Sequence, residues 1–222
     1  MKVLKYILIS AVTLFVLFVI LMLFMFFMNK NSNYNPKFSE SKLIHEVAGE
    51  SFYIPRNYIW SYTKISENRV FLPNLHAIIP EFDGFTEANK DRYEKLGWHD
   101  EITFLIEDAS KFFDHMKTNE LRAQDSFKNY VIPESKREWS GFEVYDRTTF
   151  RDEFYYIVHN GESYYFTCNK TDSVPYPSCK TTHNINDKIY VSYTFAKKHL
   201  ANWQSIHNDL MGLIDKFRKN HD

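Results

Sequence analysis

EFYYIVHNGESYYFTC, residues 153–168, decides how the rest of this chain is read. Asn160-Gly161 stands between two runs of aromatic and β-branched residues, and both turn residues tolerate the positive φ that a two-residue type I′ turn demands. Such a turn sets His159 opposite Glu162, Ile157 opposite Tyr164 and Tyr155 opposite Phe166. Side chains two apart share a face of a strand, so Tyr155, Ile157, Tyr164 and Phe166 join Cys168 on one side, the better candidate for a core.

Downstream, DKIYVSYTF (187–195) reads as a further strand, and LANWQSIHNDLMGLIDKF follows it. There Leu200, Trp203, Ile206, Leu210, Leu213, Ile214 and Phe217 recur at helical spacing, a stripe that should pack on the sheet. Upstream, ESFYIPRNYIW (50–60) and NRVFLPNLHAIIPEF (68–82) are strand-like but interrupted by Pro55, Pro73 and Pro80, which places them at edges or turns. Thr86 suits the start of a short charged helix, EANKDRYEKL, with Gly97 at its end. DEITFLIED (100–108) alternates as a strand, its carboxylate pairs Asp100-Glu101 and Glu107-Asp108 reading as solvated ends, while 109–129 fits either a short helix or an irregular excursion. The expected fold class is α+β: an N-terminal transmembrane helix, then a single domain with an antiparallel sheet and a C-terminal helix packed on it.

The membrane expectation rests on residues 7–28, ILISAVTLFVLFVILMLFMFFM, where Ser10 and Thr13 are the only polar side chains. As a helix the run spans about 33 Å, enough to cross a bilayer's hydrocarbon core. It exceeds the apolar region of a cleaved signal peptide and ends without a small-x-small cleavage site, so it reads as an uncleaved signal anchor. The expected division is 1–29 anchor, 30–44 polar linker and 45–222 outer domain. Lys2, Lys5 and the amino terminus, against Lys30 and Lys37 beyond the run, favour a cytoplasmic tail, which puts the outer domain outside; in a bacterium that is the periplasmic side of the inner membrane.

That compartment bears on TCNKTDSVPYPSCK (167–180), which carries the only two cysteines of the chain. In an oxidising space Cys168 and Cys179 form a disulfide closing a loop stiffened by Pro175 and Pro177. A zinc site of Cys168, Cys179 and His183 is the alternative, but it lacks a fourth ligand and a C-x-x-C pair. All 28 acidic side chains lie beyond the anchor, while Lys2 and Lys5 of the 27 basic ones lie within it and Lys30 directly at its end, so the outer part is net acidic and gives no reason to expect a nucleic-acid partner.

Chemical motifs are scarce. His45-Glu46 begins like H-E-x-x-H, but position 49 is Gly. His199 and His207 could share a helix face, and a pocket gathering His76, His99 and His159 would favour an enzyme. No nucleophile elbow and no phosphate-cradling glycine loop is present in a chain with Gly 6. No catalytic, cofactor-binding or metal-binding residue is therefore assigned, no cofactor is expected, and a binding protein is favoured over an enzyme. Asn169-Lys170-Thr171 is a glycosylation triplet, which would count against a bacterial source if it were modified.

YIPRNY (53–58), YYFTCNKTDSVPYPSCKTTHNI (164–185) and IYVSYTFAKKHLANWQSIHNDLMGLIDKF (189–217) together carry a resemblance. They are similar to small, membrane-attached periplasmic proteobacterial proteins that look like immunity partners of type VI secretion effectors. Many of those are lipoproteins, so the transmembrane run departs from their pattern. The resemblance implies an immunity protein that neutralises a secreted antibacterial toxin by direct binding, tethered to the inner membrane through residues 7–28. It brings no catalytic residues, and it leaves the contact residues open, exposed aromatics on the sheet being the first candidates. A structural or accessory protein of an envelope or secretion apparatus, bound to another envelope protein, is the alternative, and an enzyme with an unrecognised site is the second.

Overall fold

The computed structural model describes residues 41–61, 64–66, 69–93, 100–111, 118–149 and 151–219. The run expected to cross a membrane, residues 7–28, lies outside them, and among the described residues no helix is long and apolar enough to do so. β1 (Lys42–Val47) occupies the end of the segment read as a linker.

Two sheets, not one, are built by the described residues. The larger has nine strands in the order β3 (Ile59–Ser61), β6 (Asn74–Ile78), β7 (Glu101–Asp108), β13 (Ile189–Ala196), β12 (Ser178–Asn184), β11 (Glu162–Asn169), β10 (Asp152–His159), β9 (Phe142–Asp146) and β8 (Arg137–Trp139), each pair antiparallel. The smaller has four strands, β2 (Glu50–Pro55), β1, β5 (Arg69–Phe71) and β4 (Lys64–Ser66), and its β1–β5 pairing is parallel. This second, mixed sheet departs from the single antiparallel sheet expected. β4 and β5 are only three residues each and leave no alternating pattern, so the sequence around Pro55 and Pro73 reads as edges without showing what they pair with.

Three two-residue hairpins share one backbone. Asn160-Gly161 joins β10 to β11 with His159 opposite Glu162, Ile157 opposite Tyr164 and Tyr155 opposite Phe166. Asn160 has φ 51° and Gly161 81°, Ser140 and Gly141 between β8 and β9 have 51° and 85°, and Ala48 and Gly49 between β1 and β2 have 50° and 85°. Positive φ at both positions twists the turn in the sense of the flanking strands. Asn tolerates the first position well, whereas Ser and Ala occupy it at some steric cost.

One face of the large sheet meets the small sheet and α3 (Trp203–Lys219) in a single core. Phe142, Val144, Tyr155, Phe166, Tyr193 and Phe195 come from the sheet, Phe52 and Ile54 from β2, and Trp203, Ile206, Leu210, Leu213, Ile214 and Phe217 from α3. Leu200 is buried with them but belongs to the 3-10 turn Lys197–Asn202 that precedes α3. Trp203 packs on Tyr164 at 4.6 Å between ring centroids and on Phe166 at 5.8 Å. His45 bridges the sheets, its ring nitrogens 3.2 Å from the Val70 carbonyl and 3.1 Å from that of Ile106.

The other face carries α2 (Asn119–Tyr130), which resolves the ambiguous segment in favour of a helix. The Thr118 side chain accepts from the Leu121 N–H and caps it, and Ala123 packs with Val131, Tyr145, Phe154 and Tyr165 in a small second cluster. Near Thr86 the described helix is shorter than expected: α1 (Lys90–Tyr93) is a single turn, and Gly97 lies outside the described residues. Thr86 and Asn89 still exchange side-chain hydrogen bonds at its start.

Candidate functional site

The chemistry-bearing side chains are dispersed. Cys168 and Cys179, opposite each other on β11 and β12, form the disulfide read from the sequence, which uses both thiols and closes the zinc alternative. Among the described residues no group of three or more His, Cys, Asp or Glu side chains is placed to hold a metal ion. His76 is buried against Trp60 and Tyr93 and lies 3.1 Å from Glu101, so Glu101 is no solvated strand end. His159 instead meets Trp203 and Gln204, and His99 lies outside the described residues. Asp100 is held by Lys198 at 3.0 Å and His199 at 3.4 Å. Asn169 donates to Asp152 and accepts from Ser178, so its amide is engaged within the fold.

His183 and His207 form a close histidine pair, with ring centroids 4.3 Å apart. Tyr164 stacks on His183 at 5.5 Å, and Asn119 of α2 donates to its Nδ1 at 2.6 Å. The Tyr193 hydroxyl lies 3.0 Å from His207 Nδ1 and, with Nε2 protonated, donates to it. Burial holds His183 below the ordinary histidine range, and burial with the neighbouring His183 lowers His207 to about 4. Both rings are therefore neutral at pH 7, packed and hydrogen-bonded, and among the described residues no nucleophile or carboxylate dyad is poised between them.

An accessible groove of about 590 Å³ lies at the β8 end of the large sheet, and one of about 580 Å³ lies between Pro80, Asp100 and the start of α3. Val144 and Tyr155 form the floor of the first, Arg137, Glu138 and Trp139 of β8 one wall, and Pro175, Tyr176 and Pro177 of the β11–β12 loop the other. Trp139 is 45% exposed and Tyr176 48%, high values for large aromatics. The loop is fixed at its base by the disulfide and by the Lys197 N–H donating to the Pro177 carbonyl at 2.9 Å.

Charges along the groove are mostly compensated. Glu153 accepts from Lys197 at 2.6 Å, from Tyr155 at 2.8 Å and from Arg137. Burial works against its carboxylate, but the bonds from Lys197 and Tyr155 and the Arg137 charge hold it below the usual range. Burial and the Glu153 hydrogen bond push the Tyr155 phenol up. Arg137 also reaches Asp146 at 3.3 Å. Glu138 has no ion-pair partner among the described residues.

A solved structure, an immunity protein of the Stenotrophomonas maltophilia type IV secretion system, superposes on this arrangement with a TM-score of 0.56. The match covers 82% of this chain and 95% of that one at 12% sequence identity. The two chains share a fold. No protein-family model and no curated protein sequence matches the chain.

Sequence reasoning did not find the groove, because it is assembled from β8, β10 and the proline loop, far apart in the chain. A signal was available in REWSGFE (137–143), where Ser140-Gly141 marks a hairpin and Trp139 stands at an edge. Its strands are too short to show alternation.

Proposed function

We propose that this chain is an immunity protein that neutralises a secreted antibacterial toxin by direct binding, held at the bacterial inner membrane by residues 7–28 with the outer domain in the periplasm. The fold shared with a secretion-system immunity protein, over nearly the whole length of that protein, carries the reading. That protein's name refers to a type IV system, whereas the sequence resemblance points toward type VI effectors; common to both is a toxin delivered by a secretion apparatus and met by a dedicated binder. The buried disulfide suits an oxidising compartment. Exposed aromatics around a fixed groove suit contact with a protein. A tether confines the binder to the membrane surface and raises its effective concentration there.

Competition between sister cells tests the reading. A strain lacking the gene should be intoxicated by sisters with an active secretion system, and the full-length chain should restore survival. A secreted form without residues 7–28 should restore it less completely. The full-length chain should bind the responsible effector with a dissociation constant of about 1 nM or below. Survival of the deletion strain alongside active sisters, with no effector bound, would overturn the proposal.

A further inference from the structure

We propose that the cleft between α2 and the outer strands of the large sheet takes an arginine side chain of a basic partner protein. The inference deepens the toxin-binding reading and rests on it for the identity of the partner, though not for the seating of the arginine. The cleft, of about 300 Å³, lies on the sheet face that α2 covers. Tyr145, Phe154 and Tyr156 form its floor, and Glu120, Gln124 and Phe127 of α2 one wall. α2 leaves apolar surface open beside it: Phe127 is 36% exposed, and Val158, two positions along β10 from Tyr156 and so on the same face, is 58% exposed. Among the described residues Tyr156 has no aromatic ring partner, and its hydroxyl is held 3.0 Å from that of Ser163.

Strand register supplies the charge. Glu138 of β8 stands opposite Glu143 of β9, and Glu143 opposite Tyr156 of β10, so alternation turns both carboxylates to the face of the cleft while Trp139, Val144 and Tyr155 turn to the other. Like charges directly opposite in a sheet repel. Lys136 offsets one of them by pairing with Glu143, which also accepts from the Tyr145 hydroxyl at 2.7 Å. Those two bonds hold Glu143 below the usual carboxylate range and keep it ionised. Glu120 and Glu138 make no ion pair among the described residues, and Glu120 accepts a single bond, from Gln124 at 3.2 Å. Arg122 is turned away to Asn184, and Lys128 is exposed but does not line the cleft. Glu120 and Glu143 therefore border an aromatic floor with Glu138 beside them and Lys136 already paired. A guanidinium answers both features at once, because it lies flat on a ring and forks to a carboxylate, whereas an ammonium is a compact, strongly hydrated charge. An anionic or wholly apolar occupant would leave Glu120 and Glu138 uncompensated.

Calorimetric titration of the full-length chain with short synthetic peptides tests this: one with a single arginine between leucines, and the same peptide with citrulline, which keeps the shape of arginine without its charge. The arginine peptide should bind saturably, with a dissociation constant on the order of 100 µM, and the citrulline peptide about tenfold more weakly. Glu120→Gln, an exposed substitution, should weaken the arginine peptide about threefold, and Tyr156→Leu about fivefold. Tyr176→Ala, in the proline loop away from the cleft, should leave the affinity at the parental value. Absence of saturable binding, equal binding of the two peptides, parental affinity in both Glu120→Gln and Tyr156→Leu, or an equal loss in Tyr176→Ala overturns the proposal, as does self-association of the chain that buries Phe127 in place of the peptide. Peptide binding without any captured toxin would leave the cleft standing and remove the immunity reading. A toxin bound equally well by the parent, Glu120→Gln and Tyr156→Leu, with the peptides silent, would do the reverse.

Discussion

α3 and α2 cover opposite faces of the same sheet and are held by different physics. α3 buries a continuous apolar stripe from Trp203 to Phe217 against β2 and the large sheet. α2 buries Arg122 and Ala123, lays Phe127 edge-on against Tyr145, and is secured by polar contacts: Arg122 donates to Asn119 at 2.7 Å and to Asn184, and Asn119 accepts from the Asn184 N–H at 3.2 Å. Leu121, Phe127 and Tyr130 remain exposed on it. An apolar stripe holds a helix wherever the opposing surface is apolar. A polar clamp holds it only where particular partners stand, and its loss leaves buried groups without hydrogen bonds.

The contrast is sharpest at Trp203. Trp203→Ala should open a cavity in the α3 face and destabilise the fold by about 3–5 kcal/mol, read as a shift in the denaturant midpoint. A variant that unfolds like the parent would mean that α3 does not close the core.

Acid probes the point where the two faces meet. His207 lies on α3, and its neighbour His183 accepts from Asn119 of α2. Above about pH 6.5 both rings are neutral in folded and unfolded chains. As the pH falls, the unfolded chain takes up protons first, because the folded state holds His207 down to about 4. Stability should therefore decline from about pH 6.5 and be lower by about 3 kcal/mol once the pH reaches 4. His207→Gln should flatten that part of the profile, whereas His199→Gln should leave it in place; equal slopes in both variants would remove His207 as the cause.

The smallest expected effect is on α2. Arg122→Ala should cost about 1–3 kcal/mol by removing the guanidinium donor shared by Asn119 and Asn184, and amide exchange should accelerate over Asn119–Tyr130 more than over α3. Uniform acceleration across both helices would show that the two faces open as one unit.

This same difference explains what could be read from the sequence. The α3 stripe and the Asn160-Gly161 hairpin are local patterns with a fixed period or a fixed turn chemistry, so residues near in the chain suffice to see them. Segment 109–129 has no apolar period, because α2 is held by Arg122 and Asn119 reaching Asn184, distant in the chain. The hairpins at Ala48-Gly49 and Ser140-Gly141 have the same backbone as Asn160-Gly161 but a weaker first residue. The small sheet depends on a parallel β1–β5 contact, and the groove on a loop meeting an edge strand, neither of which leaves a local trace.

Cys168 and Cys179 are both at 0% exposure within the main core. A sulfur atom that solvent cannot touch is closed to oxidants and reductants alike, since thiol exchange needs a line of attack on sulfur. Making or cutting this bond therefore requires β11, β12 or α3 to be unpacked at that moment, which ties exchange at sulfur to opening of the core. While the core stays packed, the redox state of the pair is held by the fold rather than by the solvent.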